Sequence, residues 1–404
     1  MRHWLTLASV LLVVFVGAGS ASAQISPEWQ DVIRLLRHPD AGTRLDAVER
    51  LAGAGFLAAA EPVAAVLTDP DDRVQLAAIE AELAFFQADR PGGGGLFGRS
   101  SSDSAPQAAF EAGPLLRGAA PVPAVVLDQL LVATRDANAR VRFDAIHAFG
   151  FLAESPLSAD LVKRLALELD HYDPIIRAVT ARVIGRFRAA DAAEAVAVAL
   201  SDSNDVVRLY ATETIGLIRD AKSLATLRDQ FSRARGDMIG VTFLAIGRIG
   251  SRDDLELFRQ RIADRAPDVR RAAVEGLSRS DDRSAIPALE GLLKNDRENE
   301  VRLAAACGLQ RMGQQQTHVI APMLVLREVN AAARDCLFEI GPPAVPGIIA
   351  TLGVATDSRH RADLVQLIGY LGSPIEVGFI EPLAADPDER VRRAVSHAIA
   401  RLRR

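Results

Sequence analysis

Small and large apolar residues recur along most of this chain with a period of about 31 residues. When an arginine such as Arg208 is taken as position zero, position +3 is small and position +7 is large and apolar, as in Ala211 and Ile215. Together with an apolar residue at position −1, these residues form one face of an α-helix. Only Glu82 breaks the +7 series. Position zero falls at Arg44, Gln75, Arg142, Arg177, Arg208, Ile239, Arg270, Arg302, Asn330, Arg361 and Arg392.

The first half of each unit predicts a second helix. Segments such as AIPALEGLLKN and AVPGIIATLG place a proline early and branched apolar residues after it. Proline is tolerated in the first turn of a helix, because its missing N–H would have no partner there. No long stretch alternates β-branched and polar residues as a strand does. Each unit is therefore predicted to be an antiparallel helical hairpin, and the fixed period predicts that the hairpins stack as an all-α solenoid.

The hairpins resemble the HEAT-repeat family, in particular its short bacterial repeats, which are often called HEAT-like or PBS-lyase-like. The shared signature is an acidic turn, a Val-Arg pair and a later apolar residue, and its copies here are Asp205 with Val207-Arg208 and Ile215-Gly216, Val269-Arg270 with Leu277, and Val391-Arg392 with Ile399. The resemblance covers roughly residues 26–86 and 121–404. It implies a right-handed superhelix of about eleven hairpins whose second helices line the concave face. Gln75, Ile239 and Asn330 depart from the signature, so their repeats are expected to be irregular.

An interruption explains the 67-residue step from Gln75 to Arg142. Residues 24–86 hold about two repeats and residues 121–404 about nine, while residues 87–120 contain the run RPGGGGLFGRSSSDSAPQ and predict a flexible insertion. This run is not a phosphate-binding loop, because it lacks G-x-x-x-x-G-K-[ST] and a preceding strand. An alternative is that AAFEAGPLLRG, residues 108–118, is a docking segment that orders on a partner.

The first 23 residues are predicted to be a signal peptide. A basic start, Arg2-His3, precedes the apolar run LTLASVLLVVFVGAG, and Ala21-Ser22-Ala23 supplies the small residues that signal peptidase requires. We expect cleavage after Ala23 by a bacterial Sec-type route, which makes the protein periplasmic or secreted. A membrane anchor is the alternative, but the run is short for a span. No other stretch predicts a membrane span.

The charge balance narrows the classes of partner. The chain has 47 basic and 52 acidic residues; without the signal peptide, which removes Arg2 and no acid, the balance is 46 against 52, or −6. Binding to nucleic acid is driven by clustered positive charge, so it is not expected. Adhesion to anionic lipid is not expected either. We expect a monomer whose partner is another protein.

The two cysteines, Cys307 and Cys336, are predicted to be reduced thiols. An exported protein could hold a disulfide. However, the two residues occupy different repeat positions, +5 and +6, on helices that we expect to stack about 10 Å apart. That separation is long for a disulfide.

The arginines at position zero have two interpretations. They could present a ladder to phosphate or to an acidic partner. Alternatively, each pairs with an acid in the turn of its own or the next repeat, which the family resemblance also implies. We favour this structural ladder, because buried arginine is usually paired. The ladder comprises Arg44, Arg142, Arg177, Arg208, Arg270, Arg302, Arg361 and Arg392.

Position +5 should face the concave side, and it varies between repeats. The row reads Glu49, Glu80, His147, Arg182, Glu213, Leu244, Glu275, Cys307, Asp335, Gln366 and His397. It has no stripe of one charge and no aromatic ladder, so a solvated face is an alternative to a binding face. If a partner binds there, we expect contacts at His147, Arg182, Tyr210 and Glu213.

No catalytic, cofactor or metal site is predicted. The seven histidines are scattered without metal-ligand spacing, and neither a His-Glu dipeptide nor G-x-S-x-G occurs. We therefore predict an exported, non-catalytic scaffold that binds another protein through its concave surface. One alternative is a bilin lyase or isomerase subunit, which the PBS-lyase-like name suggests and the export signal opposes. The other is a nucleic-acid-binding HEAT protein, which the acidic charge opposes.

Overall fold

Eleven antiparallel helical hairpins, numbered here as repeats 1 to 11, make up most of residues 26–88 and 104–404, which are the residues that the computed structural model describes. The first helices of the repeats are α1 (Pro27–Leu35), α3 (Ala60–Ala64), α6 (Ala124–Ala133), α8 (Ala159–Glu168), α10 (Ala193–Ala199), α12 (Leu224–Arg233), α14 (Leu255–Arg261), α16 (Ile286–Asn295), α18 (Thr317–Ile320), α20 (Val345–Leu352) and α22 (Val377–Ile380). The second helices are α2 (Ala41–Ala54), α4 (Asp72–Phe86), α7 (Ala139–Leu152), α9 (Pro174–Arg186), α11 (Asp205–Ile218), α13 (Asp237–Ile249), α15 (Pro267–Arg279), α17 (Asn299–Arg311), α19 (Asn330–Ile340), α21 (Ser358–Leu371) and α23 (Glu389–Leu402). The predicted all-α solenoid is confirmed, and among the described helices none has the length and apolar character to cross a membrane.

Successive second helices approach closely because the residues between them are small. The alanines and threonines at position +3 are all 0 % exposed: Ala47, Ala78, Ala145, Thr180, Ala211, Thr242, Ala273, Ala305 and Ala333. Where the approach is closest, only glycine fits. A Cβ on Gly216 would lie 2.7 Å from the Cα of Ala245, and one on Gly369 would lie 2.6 Å from the Cα of Ala398. The large +7 side chains, such as Phe149, fill the layer between these close contacts.

The position-zero arginines join neighbouring repeats. Arg177 donates from Nε and Nη2 to the two carboxylate oxygens of Asp202, at 2.7 and 2.8 Å, and from Nη1 to the carbonyl of His171 at 2.7 Å. Asp202 in turn accepts from the backbone N–H of Asn204 at the start of the next second helix. A bidentate pair of this kind fixes direction as well as distance, so each pair sets the spacing of two loops. The same bidentate pairing joins Arg44 to Asp69, Arg270 to Asp296 and Arg361 to Asp386.

In each of these bidentate pairs, the aspartate lies six residues before position zero of the next repeat. The remaining position-zero arginines have other partners, because no following repeat has an aspartate at that position for them. Arg142 donates to Asp173 at 2.7 Å, because that place is taken by His171. Arg208 pairs within its own repeat with Asp205, and Arg302 with Asn299, because the place is taken by Arg233 and Leu324 respectively. Arg392 lies in the last repeat and donates to the carbonyls of Asp386 and Pro387.

Repeats 2 and 3 stack directly, although 67 residues separate their zero positions. Gln75 takes the place of the arginine and donates to Asp136 at 2.9 Å, and α4 packs against α7. The intervening chain therefore leaves the stack and returns to it without breaking the series of contacts.

The prediction of one flexible insertion over residues 87–120 is wrong for its second half. Residues 105–112 form an additional helix, α5 (Ala105–Ala112), followed by a 3₁₀ turn, Pro114–Leu116. Phe110 and Ala109 are buried with the core of repeats 1 to 8, and Leu115 is buried with the core of repeats 8 to 11. The apolar residues of AAFEAGPLLRG explain this order, because they supply a buried face that the preceding Gly-rich run lacks. The Gly-rich residues 89–103 and the predicted signal peptide, residues 1–23, lie outside the described residues.

The prediction of two reduced thiols is also wrong in this structure. Cys307 and Cys336 form a disulfide between α17 and α19, with their Cα atoms 6.3 Å apart. The expected spacing of about 10 Å does not hold here, because the neighbouring residues Ala306 and Ala333 are small and both are 0 % exposed in the same apolar cluster. Small side chains let the two backbones come within disulfide range.

Glu82 occupies the +7 position of repeat 2 and is 0 % exposed, and neither carboxylate oxygen has a hydrogen-bond partner among the described residues. Burial raises the pKa of this carboxyl well above its ordinary value. An unpartnered buried polar group destabilises the fold by about 1–3 kcal/mol. We therefore expect Glu82→Leu, which restores the apolar +7 residue, to raise the free energy of unfolding by about that amount in urea titrations at pH 7.

The pH dependence provides a control. Because the folded state holds the proton of Glu82 more tightly than the unfolded state, this group makes the folded state less stable as pH rises above the ordinary value of 4.5. The stability difference between Glu82→Leu and wild type should therefore grow from pH 4 to pH 7, and Glu82→Gln should remove that pH dependence without restoring the apolar contact. A Glu82→Leu protein less stable than wild type at pH 7 would contradict this assignment.

Candidate binding groove

One groove is lined by the second helices of repeats 5 to 9. It encloses a cavity of about 290 Å³, and five of its lining residues occupy position +5: Glu213, Leu244, Glu275, Cys307 and Asp335. Position +9 lies one helical turn beyond +5, on the same face of each helix. The +9 residues of repeats 5 to 9 also line the cavity: Leu217, Arg248, Arg279, Arg311 and Glu339.

Two carboxylates bind three of the six arginines that line the cavity. Glu339 accepts from Arg219 at 2.9 Å and from Arg279 at 2.8 Å, and Arg311 lies 3.3 Å away. Glu275 accepts from Arg279 at 2.6 Å and from Arg311 at 2.9 Å. Arg219 is 120 residues from Glu339 in sequence, so this network joins α11, α15 and α17 to α19 across the groove.

The charges in this network outweigh the effect of burial. Burial by itself would raise the pKa of Glu275, but the charges of Arg311, Arg279 and Arg248 lower it to about 2. Burial also opposes ionisation of Glu339, and the hydrogen bond from Arg279 with the charge of Arg311 lowers its pKa to about 2. Both groups are therefore ionised carboxylates at neutral pH.

The rest of the groove is covered by the chain itself. Residues 104–119, which we call the crossing segment, run from α7 and α9 on one side to α19, α21 and α23 on the other. The segment is tied to the end of α4 by two backbone hydrogen bonds: Gly118 N–H donates to Phe86 O at 2.6 Å, and Ala88 N–H donates to Leu116 O at 2.7 Å.

Phe110 anchors the crossing segment in a pocket on α7 and α9. Its ring meets that of His147 edge to face, with centroids 5.5 Å apart, and the guanidinium of Arg186 lies 3.6 Å from the centre of the Phe110 ring. A Cβ on Gly150 would come within 2.6 Å of the same ring, so glycine at this position leaves space for the Phe110 ring. The pocket thus combines apolar contact with a cation over an aromatic face.

Glu111 is the acidic contact of the crossing segment. Its two oxygens accept from Arg182 at 2.6 and 2.8 Å, and Arg182 also lies 4.9 Å from the ring centre of Tyr210. Burial tends to raise the pKa of Glu111, but the hydrogen bond and charge of Arg182 lower it. Arg186 has no ion pair in the described part of the chain, and burial and the nearby charge of Arg334 lower its pKa to about 10.

Beyond Glu111 the groove contacts the backbone of the crossing segment. Arg334 donates to the carbonyl of Ala112 at 3.0 Å, and the hydroxyl of Tyr370 donates to that of Pro114 at 2.8 Å. Arg401 donates to the carbonyls of Arg117 and Gly118. These side chains come from three successive second helices, so the backbone contacts continue along the groove.

The four residues expected at a partner contact fall in two places. His147 is only 1 % exposed beneath Phe110, while Arg182 and Tyr210 lie beside Glu111, so their contacts are made by the chain's own segment. Glu213 alone lies in the open cavity. Position +5 of repeats 3 and 4 is therefore covered by the crossing segment, and a contact of these residues with a partner stays a prediction.

The sequence reasoning missed position +9. The arginines and the tyrosine that hold the crossing segment or line the cavity recur at this position: Arg186, Arg248, Arg279, Arg311, Tyr370 and Arg401. Their spacing of one turn from +5 was a signal that could have found them.

The polar side chains of the open cavity are arginines and carboxylates. Its lining residues include no histidine and no hydroxyl, and both of its cysteines are in the disulfide. Within the described ranges, no cluster of His, Cys, Asp or Glu has the arrangement to hold a metal ion. The groove's polar groups are guanidinium, carboxylate and peptide groups, which suit recognition by hydrogen bonds and charge.

Stacked hairpins whose second helices line one groove define the class of α-solenoid repeat proteins. The family model described as HEAT repeats matches residues 162–239 and 241–310. The chain therefore carries HEAT repeats, and the resemblance seen in the sequence is confirmed there. No curated protein matches the chain by sequence.

Solved structures share the architecture at low sequence identity. An engineered protein is 16 % identical, with a TM-score of 0.42, over 93 % of this chain and 99 % of its own. The CpcE–CpcF complex of phycocyanin lyase from Nostoc sp. PCC7120 is 14 % identical, with a TM-score of 0.36, over 68 % of this chain and 94 % of its own. Human deoxyhypusine hydroxylase in complex with glycerol is 18 % identical, with a TM-score of 0.29, over 69 % of this chain and 96 % of its own.

Removing the charge of Glu339 should destabilise the fold. Glu339→Gln removes the carboxylate that binds Arg219 and one of the two that bind Arg279 and Arg311, and because Glu339 is partly buried we expect a cost of about 1.5–3 kcal/mol, the range for hydrogen bonds to charged groups. Glu300→Gln is the matched control, because Glu300 is half-exposed and lies 3.5 Å from Arg271 alone. We expect less than about 1 kcal/mol from the control in urea titrations.

The same pair of variants tests the sign of the pH effect. The pKa of Glu339 is about 2 in the folded state against an ordinary value of 4.5, so its contribution is present above pH 4.5 and is lost as pH falls towards 2. The gap between wild type and Glu339→Gln should therefore shrink over that range. A gap that stays constant down to pH 2 would show that ionisation of Glu339 is not what stabilises the groove.

Proposed function

We propose that this protein is an exported, non-catalytic scaffold that binds an acidic segment of another protein in the open part of the groove, between α11 and α19. HEAT repeats commonly serve protein recognition, because stacked hairpins present an extended surface. The residues that recur in most repeats pack the helices together, whereas the residues at positions +5 and +9 differ between repeats.

Arg248 is the observation that carries the proposal. It is half-buried in the cavity and has no hydrogen-bond or ion-pair partner among the described residues, whereas Arg279 and Arg311 are each paired twice. Burial lowers the pKa of Arg248, and the more distant charges of Glu213 and Glu275 raise it. A carboxylate from a partner is the acceptor that this guanidinium lacks. Leu217 and Leu244 provide apolar contact beside it.

A photo-crosslinking residue in place of Leu217 tests the location of the partner. Leu217 lines the cavity, whereas Val198 is 74 % exposed on α10, outside the groove, and serves as the matched control. In the native host we expect a reproducible crosslinked protein from the Leu217 position and none from Val198. Adding Arg248→Glu should reduce that product at least about tenfold, the order expected for a charged contact at the centre of an interface. Arg252→Glu, an exposed charge outside the cavity, should leave it unchanged.

Equal amounts of crosslinked protein from the Leu217 and Val198 positions would count against this site. An amount from the Leu217 position that Arg248→Glu does not change would also count against it. No product at either position would count against a protein partner.

Export is supported by two independent features. Residues 1–23 have the features of a signal peptide, and the Cys307–Cys336 disulfide fits an oxidising compartment. Intact mass measurement on protein from the native host should give a chain that begins at Gln24, is two protons lighter for the disulfide, and is found outside the cytosol. A cytosolic protein that retains residues 1–23 would contradict export.

A further inference from the structure

The crossing segment does not lie between two stacked repeats. Repeats 2 and 3 contact each other directly, through α3 with α6 and α4 with α7, and Gln75 with Asp136 continues the series of side-chain contacts between repeats. The segment lies on the groove face of repeats 3 and 4 and of repeats 9 to 11. Its position is that of a bound peptide.

The contacts of the segment are those of a ligand with two anchors. Phe110 fills one pocket, at 1 % exposure, and Leu115 fills the second, at 5 %. Between and after them, the groove binds main-chain carbonyls, from Ala112 to Gly118, through Arg334, Tyr370 and Arg401. Recognition of carbonyl groups does not depend on side-chain identity, so another peptide of similar shape can make the same contacts.

The site holds more positive charge than the segment neutralises. Arg182, Arg186 and Arg334 surround residues 110–113, and the segment supplies one carboxylate, Glu111. Arg334 is 7 % exposed, and its Nε has no hydrogen-bond partner among the described residues but lies 3.8 Å from Asp335. Arg186, whose guanidinium lies 3.6 Å from the centre of the Phe110 ring, has no ion pair among the described residues. An occupant with a second carboxylate next to the aromatic residue therefore suits the site better than the chain's own segment does.

We propose that the crossing segment is an intramolecular occupant of a peptide-binding site, and that the partner's segment replaces it with an aromatic residue flanked by carboxylates followed by an extended apolar stretch. This inference rests on the proposed function, because it describes how a protein partner engages the groove. It places a second subsite next to the cavity around Arg248. At this subsite the partner's segment competes with the crossing segment. A tethered occupant acts at an effective concentration of the order of millimolar, so the intact protein is strongly self-occupied.

A labelled peptide of residues 104–118 tests the site without the natural partner. Phe110→Ala in the protein removes the anchor of its own segment, and we expect this variant to bind the peptide at least about tenfold more tightly than wild type does. Gln107→Ala is the matched control, since Gln107 is on the same helix and its side chain has no hydrogen bond or ion pair among the described residues, so this variant should bind as wild type does. A peptide carrying Phe110→Ala should bind the variant at least about tenfold more weakly than the native peptide.

The Arg182–Glu111 pair provides a second, independent readout. Arg182→Glu places a like charge beside Glu111 and leaves the lining of the Phe110 pocket unchanged, so this protein should prefer a peptide with Glu111→Arg over the native peptide. A peptide with Ala112→Glu should bind the Phe110→Ala protein more tightly than the native peptide, because it adds a carboxylate near Arg334.

Four outcomes would overturn the proposal. The first is that wild-type protein binds the peptide as tightly as the Phe110→Ala protein does. The second is that variants with the circular dichroism spectrum of wild type do not bind the peptide. The swapped charges could fail to restore binding. If both Phe110→Ala and Arg182→Glu lose their helical spectrum, the segment is a structural part of the fold and not an occupant. Peptide binding without any crosslink at Leu217 would refute the proposed partner site and leave this one standing.

Discussion

Each hairpin can bury its apolar faces only against the hairpins before and after it, and the rest of the structure depends on that constraint. The second helices must approach closely, so position +3 is alanine or threonine in repeats 1 to 9, and the next helix leaves no room for a Cβ at Gly216 and Gly369. Their spacing must also repeat, and the pairing of one arginine with an aspartate of the next repeat fixes it. These positions therefore serve the packing of the repeats, and the positions that vary between repeats are available for recognition.

Arginine has two roles in this chain, and the acid beside it decides which. At position zero the next loop usually offers a carboxylate, as Asp202 does to Arg177, and the pair is structural. At position +9 the side chain enters the groove, where Glu275 and Glu339 bind Arg279 and Arg311, whereas Arg186 and Arg248 have no ion pair among the described residues. The groove therefore combines paired charges with two guanidinium groups that are available to a carboxylate.

The repeat period was enough to predict the fold, because position +3 and position +7 report burial directly. The groove was harder to predict. Position +5 was recognised but position +9 was not, although both lie on one face of the helix. The docking of Phe110 depends on pockets made by residues far away in sequence, such as His147 and Arg186, which periodicity does not reveal. The Cys307–Cys336 disulfide was missed because an average helix spacing was assumed where alanines allow a closer one.

Hydrogen–deuterium exchange along the crossing segment tests the central claim, that the chain occupies its own groove. A helix of eight residues such as α5 is not stable alone in water, so slow exchange there reports docking and not local helix formation. The account predicts that the amides of residues 108–113 and Gly118 exchange at rates close to those of α7. Exchange of these amides at the rate of an unstructured peptide, while α7 remains protected, would contradict it.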